Sequence, residues 1–325
     1  MQRAKLKLKK SNWARLSSLA AVAFLFAASF PARSLAQQTG QKTFPTPEDA
    51  SAALFAALQS NDEKAVLDIF GPDGKQIVSS GDDVEDAQSR ANFAQKYQEM
   101  HRLVKEPDGT ITLYIGAMNW PTPIPIVNSG NSWYFNTEAG KKEILARRIG
   151  RNELSAIHVC QELVAAEKEF YSSQHQVYAQ KIFSDPGQQN GLYWKAADGG
   201  PQSPVGPLVA AAVAEGYAKD QSGPPTPYRG YYYRILTRQG KNALGGAKSY
   251  VPGGKMTEGF AFLAYPAEYR SSGVMTFIVG QDGVVYQKDL GKNTEAVAKS
   301  MKEYNPTASW QKPELETEGS AAAQK

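Results

Sequence analysis

The sequence predicts an α+β protein of two lobes, each with helices packed on an antiparallel sheet. Helix-period and alternating segments are segregated rather than interleaved, so strands following one another point to hairpins and meanders instead of βαβ crossovers. Extended runs fall in two groups, near 110–135 and 231–287, each preceded by helical pattern. A chain of 325 residues, 42% hydrophobic and 21% charged, also carries apolar material for two ordinary cores. A mean hydropathy of -0.45, with 19 prolines and 28 glycines spread without period, excludes a polytopic membrane protein and a collagen-like rod.

Residues 1–36 read as a signal peptide. Arg3, Lys5, Lys7, Lys9, Lys10 and Arg15 run into the apolar stretch Leu16 to Phe30, which Pro31 stops. At 1.5 Å per residue that stretch falls short of a hydrocarbon core of roughly 30 Å. Ser34 and Ala36, flanking Leu35, give the small-residue pattern for cleavage after Ala36, so the predicted location is periplasmic or secreted, with no permanent membrane anchor. No cysteine near the cut invites a lipid. Removing residues 1–36 takes the formal charge from +4 to -3, so the basic balance belongs to the targeting segment and no nucleic-acid partner is implied. Cys160 is the only cysteine, which excludes an intramolecular disulfide.

Residues 37–45 are a polar leader, and the first lobe spans 46–150. Thr46-Pro47-Glu48-Asp49 supplies a cap, a first-turn proline and acids ahead of Leu54, Phe55 and Leu58. Further helices fit Glu63 to Phe70, broken by Gly71-Pro72, and Asp82 to Met100. Strands fit Thr110 to Ile115, Ile124 to Val127 and Ser132 to Phe135, the last two joined by a turn at Asn128-Ser129-Gly130-Asn131. A helix restarts at Thr137-Glu138 and stops at Gly150.

The second lobe spans 151–310. Its opening helix, 152–173, carries Leu154, Ile157, Cys160, Leu163, Val164, Glu167 and Phe170 at three- and four-residue spacing and should cross the face of the following sheet. A long ordered loop or flap covers 184–207, and Leu208 to Ala218 is helical. Strands follow at Tyr231 to Thr237, Phe260 to Tyr265, Val274 to Val279 and Val284 to Gln287, then a helix from Thr294 to Tyr304. Residues 311–325 form a disordered tail.

Particular strings carry a resemblance. Arg147-Arg148-Ile149-Gly150-Arg151-Asn152-Glu153-Leu154, Asn190-Gly191-Leu192-Tyr193-Trp194, Ser203-Pro204-Val205-Gly206-Pro207-Leu208, Gly230-Tyr231-Tyr232-Tyr233-Arg234 and Gly273-Val274-Met275-Thr276-Phe277, in this order, resemble an exported bacterial family known as domain of unknown function 2950. The resemblance covers roughly residues 45–312 and implies location and fold continuity, with no reaction and no catalytic residue. In layout, the first lobe is similar to NTF2-like or cystatin-like cones and the second to the head of pilins and pseudopilins. Pilins continue the head helix into a hydrophobic one, whereas here the apolar segment lies far upstream at 16–30.

The chain offers few candidate sites. His158 and Cys160 are two apart on a helix, so their side chains diverge by roughly 200° and no thiol-imidazole dyad forms. His101, His158 and His175 lack the spacing of a compact metal motif, and Asp82, Asp83, Glu85 and Asp86 lack a calcium loop's alternating ligands; no metal and no cofactor is implied. Gly245-Gly246 and Gly253-Gly254 read as loop glycines, and Ser203 lacks a nucleophile elbow. A ligand site, catalytic residues being unidentified, would use Tyr193 and Trp194 of the flap with Tyr232, Arg234 and Arg238 of the Tyr-rich strand, in a cleft between flap and sheet.

The expected function is that of a non-catalytic envelope binding module for a glycan, peptide or small ligand. The alternatives are an envelope hydrolase with an acid/base site between the lobes, and a pilin-like structural or assembly partner.

Overall fold

The computed structural model describes residues 38–314 apart from 174, 175, 198, 216 and 218–224. The expected signal peptide, and the tail beyond residue 314, lie outside the described residues. No helix among those described is long and apolar enough to cross a membrane.

The first part of the chain is α1 (Pro47–Gln59), α2 (Glu63–Phe70), the short α3 (Lys75–Val78) and α4 (Asp83–Glu99), then β1 (His101–Lys105), β2 (Ile111–Ile115), β3 (Trp120–Pro121), β4 (Ile126–Ser129) and β5 (Ser132–Phe135). Side chains cap the helices as a polar residue before an apolar-periodic run should: Thr46 accepts from Asp49 N at 3.0 Å, Asp62 from Ala65 N at 2.9 Å and Asp82 from Glu85 N at 3.1 Å. The strands make one antiparallel sheet in the order β1-β2-β4-β5, with β3 paired to β2. Gly130 turns the β4–β5 hairpin at φ 67, a conformation that costs glycine nothing. Leu54, Ile69, Phe70, Ile126 and Phe135 fill the core beneath.

α5 (Thr137–Ser173) corrects one expectation. It runs unbroken for 37 residues, about 55 Å, straight through Gly150. Glycine costs a helix interior about 1 kcal/mol, and here the flanking side chains offset it: Arg148 donates to the carbonyls of Gln76 and Ile77, and Asn152 donates to Glu85 at 3.0 Å and to the carbonyl of Ser272 at 3.1 Å. The expected boundary at 150/151 therefore falls inside one helix, whose Ile144 packs on the first core while Ala156, Cys160, Leu163 and Phe170 belong to a second.

That second core underlies α6 (Gly206–Ala214), β6 (Tyr231–Leu236), β7 (Arg238–Gln239), β8 (Lys248–Ser249), β9 (Ala261–Pro266), β10 (Met275–Gly280), β11 (Val285–Asp289), α7 (Thr294–Ser300) and β12 (Glu303–Tyr304). β11-β10-β9-β6 form an antiparallel sheet against which α5 packs, with β6 at its edge. β12-β7-β8 form a smaller one, β12 running parallel to β7. The last helix is shorter than its sequence suggests. It ends at Ser300, and Glu303 and Tyr304 leave it to pair with Arg238 and Gln239. Gln311, expected in the disordered tail, instead exchanges backbone bonds with Gln287.

Where the two cores meet, buried polar groups clamp α4 to α5 and to the strand sheet. Asp82 is 1% exposed, and its Oδ2 accepts from Tyr217 Oη and Gly230 N, both at 2.8 Å. Glu85 pairs with Arg151 and accepts from Asn152, and Asp86 accepts from Ser80 N at 2.8 Å with Arg148 4.0 Å away. Burial raises the carboxyl pKa values of Asp82 and Asp86 against these hydrogen bonds. Three acids of the run, Asp82, Glu85 and Asp86, are thus partnered at this joint, while Asp83 is exposed.

Candidate functional site

Between α5 and the edge of β6 lies a groove of about 690 Å³, in the size range of ligand pockets. Val159 and Leu163, one turn apart on α5, are its floor; Val205, Leu208, Val209 and Ala212 line one wall at the helical spacing of α6. The segment Gln180–Phe183 just ahead of the flap, the run Pro225–Tyr228 and the strand Tyr232–Ile235 close the rest. Tyr217, Tyr265 and Lys299 complete the lining.

Chemistry is distributed unevenly over this surface. Lys181, Arg234 and Lys299 are cationic, and no carboxylate, histidine, cysteine or serine lines the groove among the described residues. Lys181 pairs with Asp185 at 2.8 Å and Lys299 with Glu295 at 2.6 Å, both as i, i+4 pairs outside the lining. The Tyr217 hydroxyl is spent on Asp82 and accepts from Arg229 N at 3.1 Å; burial raises its pKa first, and the Asp82 charge raises it further. Tyr233 differs. Its hydroxyl oxygen is buried and has no hydrogen-bond partner among the described residues, and burial holds its pKa well above the ordinary phenol value.

Of the five residues that the sequence singles out, Tyr232 and Arg234 line the groove. Tyr232 lies against Tyr265, ring centroids 5.4 Å apart. Arg234 is a helix cap: it donates to the carbonyls of Ala298, Lys299 and Met301 at 2.7–2.9 Å, the unsatisfied end of α7, which leaves its plane little freedom to stack on a ligand. Trp194 is 7% exposed, donates to Pro201 O at 3.0 Å and meets Phe170 edge-on, so it fastens the flap down. Tyr193 packs edge-on against Phe183, one residue behind the lining. Arg238 pairs with Glu303 at 2.9 Å and borders a separate hollow beside Trp310.

Other residues weighed from the sequence have structural surroundings. Cys160 is fully buried, its thiol pushed up to about 12, while His158 is exposed on another face of α5. His101 stacks on Tyr97 at 3.8 Å and shares a hydrogen bond with its carbonyl. His175 lies outside the described residues. No group of three or more His, Cys, Asp or Glu among the described residues is placed to hold a metal. Gly245, Gly246, Gly253 and Gly254 all take positive φ, as turn glycines do.

Sequence reasoning missed the α6 wall, Tyr217, Tyr228 and Tyr233 as parts of one surface. The signal available was the density of Tyr and Pro in 217–233; which of those residues share a face depends on which strand is outermost.

A family model described as "Protein of unknown function (DUF2950)" matches residues 41–313. No curated protein and no solved structure matches the chain significantly.

Proposed function

The chain belongs to the DUF2950 family, and from that premise we propose that it is a non-catalytic binding protein whose ligand lies in the groove between α5 and β6. One observation carries this reading. The groove is apolar and aromatic with three cations, and among the described residues its lining offers neither a paired acid and base nor a nucleophile beside a base. Three of the buried carboxylates, Asp82, Glu85 and Asp86, are occupied by Tyr217, Gly230, Arg151, Asn152 and Ser80, and a fourth, Glu167, accepts from Ala179 N outside the lining of the groove. Glycans, peptides and small amphipathic molecules fit such a surface. The basic start and apolar stretch within residues 1–36 support an exported protein acting in the envelope or beyond it. A pilin-like assembly role has no separate observation in its favour.

The test is a thermal-shift panel of oligosaccharides, short peptides and amphipathic small molecules on the wild type and on Ala212→Trp, which fills the groove from a half-buried position on α6. One class should stabilise the wild type, by about 2.7 kcal/mol at a hundredfold excess over Kd, and leave Ala212→Trp unmoved. Equal stabilisation of both proteins, or turnover of the bound compound, would overturn the proposal.

A further inference from the structure

β6 is the outermost strand of its sheet, and its ladder to β9 occupies only alternate residues. Ala267 N donates to Gly230 O at 2.9 Å, which makes that pair hydrogen-bonded and fixes the phase of the register Tyr232↔Tyr265, Arg234↔Leu263, Leu236↔Ala261. The N–H and C=O groups of Tyr232, Arg234 and Leu236 therefore face β9. Those of Tyr231, Tyr233 and Ile235 face away from it.

Both ends of this outer edge are closed. Tyr231 exchanges bonds with Tyr228, at 2.8 and 3.2 Å, and Thr237 O accepts from Tyr250 N at 2.8 Å. Between them the backbone N–H and C=O of Tyr233 and Ile235 have no partner among the described residues. These two residues line the groove, and the unpartnered Tyr233 hydroxyl belongs to the same stretch. An unpaired edge is a template for another strand, and proteins ordinarily blunt it with proline, charge or a covering element. Here Pro225, Pro227 and α6 line the same groove, and the open stretch at Tyr233 and Ile235 faces into it.

Two donors and two acceptors, repeating at about 7 Å along a line, are the complement of an extended polypeptide backbone. Sugar hydroxyls do not repeat with that period and polarity. The side chains add a second requirement: Arg234 stays on the end of α7, but Lys181 and Lys299 bring charge to a lining without a described carboxylate, and their own partners, Asp185 and Glu295, form exposed i, i+4 pairs weak enough for a ligand carboxylate to replace. We propose that the groove takes an acidic peptide segment in extended conformation, added as a further strand along Tyr233 and Ile235. The inference rests on the groove being the binding site and names its ligand class. Alternate side chains of the peptide would enter toward Val159 and Leu163, while backbone bonds supply affinity with little regard to sequence.

The experiment titrates the purified full chain with a fluorescein-labelled hexapeptide of alternating glutamate and valine. Two further versions carry N-methyl groups on every valine or on every glutamate. Because a strand presents alternate N–H groups to alternate sides, one methylated set should weaken binding by about tenfold or more and the other should bind as the parent does. Amide hydrogen exchange should slow at Tyr233 and Ile235 on binding and stay unchanged at Tyr232 and Arg234, which already bond to β9. Ile235→Pro deletes an outward N–H without touching that ladder, and should weaken the parent peptide similarly; should it not fold, the methylated pair still decides.

If both methylated peptides bind like the parent, side chains hold the ligand and strand addition is overturned, with the groove reading intact. Strand addition is likewise overturned if the peptide fails while a glycan or small molecule binds the wild type and not Ala212→Trp. If nothing binds, both fall together. A concentration-dependent dimer in which Tyr233 and Ile235 are protected without peptide would overturn the peptide in favour of a second copy of the chain.

Discussion

Asp82 and Tyr217 are joined by a hydrogen bond of 2.8 Å across 135 positions of sequence, so one wall of the groove is tied to the N-cap of α4. The carboxylate is 1% exposed, and Tyr217→Phe would deprive it of one charge-assisted partner. The substitution should cost roughly 1–3 kcal/mol in urea denaturation. It should also loosen ligand affinity in the groove, read by the same titration as the wild type.

Gly140 and Gly150 stand on one helix and should respond oppositely to alanine. Gly150 is exposed, and a Cβ there meets nothing within 4 Å, so Gly150→Ala should stabilise by about 0.5–1 kcal/mol. At Gly140 a Cβ would lie 2.4 Å from Pro123 O and 2.6 Å from Ile124 Cγ1; Gly140→Ala should destabilise by roughly 1–3 kcal/mol despite the better helix former. Denaturant midpoints of the two variants check both signs.

Glu167 makes stability depend on pH. It is 0% exposed, and burial pushes its carboxyl up to about 8 against the N–H of Ala179, which bonds it at 2.9 Å. The folded state then holds a proton that the unfolded state loses near pH 4.5, so this stability is complete below that pH and is lost as pH rises through about 8. The difference between wild type and Glu167→Gln should slope by at most about 1.4 kcal/mol per pH unit within that window and flatten above it. Urea midpoints from pH 5 to 9 give the slope.

Cys160 should be chemically silent while the protein is folded. Its thiol is wholly buried and pushed up to about 12, so the reactive thiolate is scarce and unreachable. A disulfide reagent at pH 8 should leave native protein unlabelled and titrate the single thiol after guanidinium is added.

Legibility in the sequence follows the range of the interaction. Thr46 and Asp82 announce helices because a cap acts within three residues, and the hairpin at Gly130 is equally local. The helix over Gly150 is misread from sequence because its continuity depends on Arg148 reaching Gln76 and Asn152 reaching Ser272, partners at the far side of the fold. The groove is half legible. The alternation of Tyr231 to Leu236 assigns faces, but that β6 ends its sheet depends on strand order, and that Arg234 is consumed by the end of α7 depends on where that helix docks. Trp194 resembles a binding aromatic in sequence because nothing local reveals that Pro201 takes its N–H.

The unbroken run of α5 from Thr137 to Ser173 has a mechanical corollary. A single stiff rod enters both apolar interiors, so neither half of the molecule can be excised at the midpoint without splitting a member that the other half also leans on. Fragments cut at 150/151 should each expose the severed rod's greasy flank and clump, whereas the intact chain should melt in one step whichever half is watched.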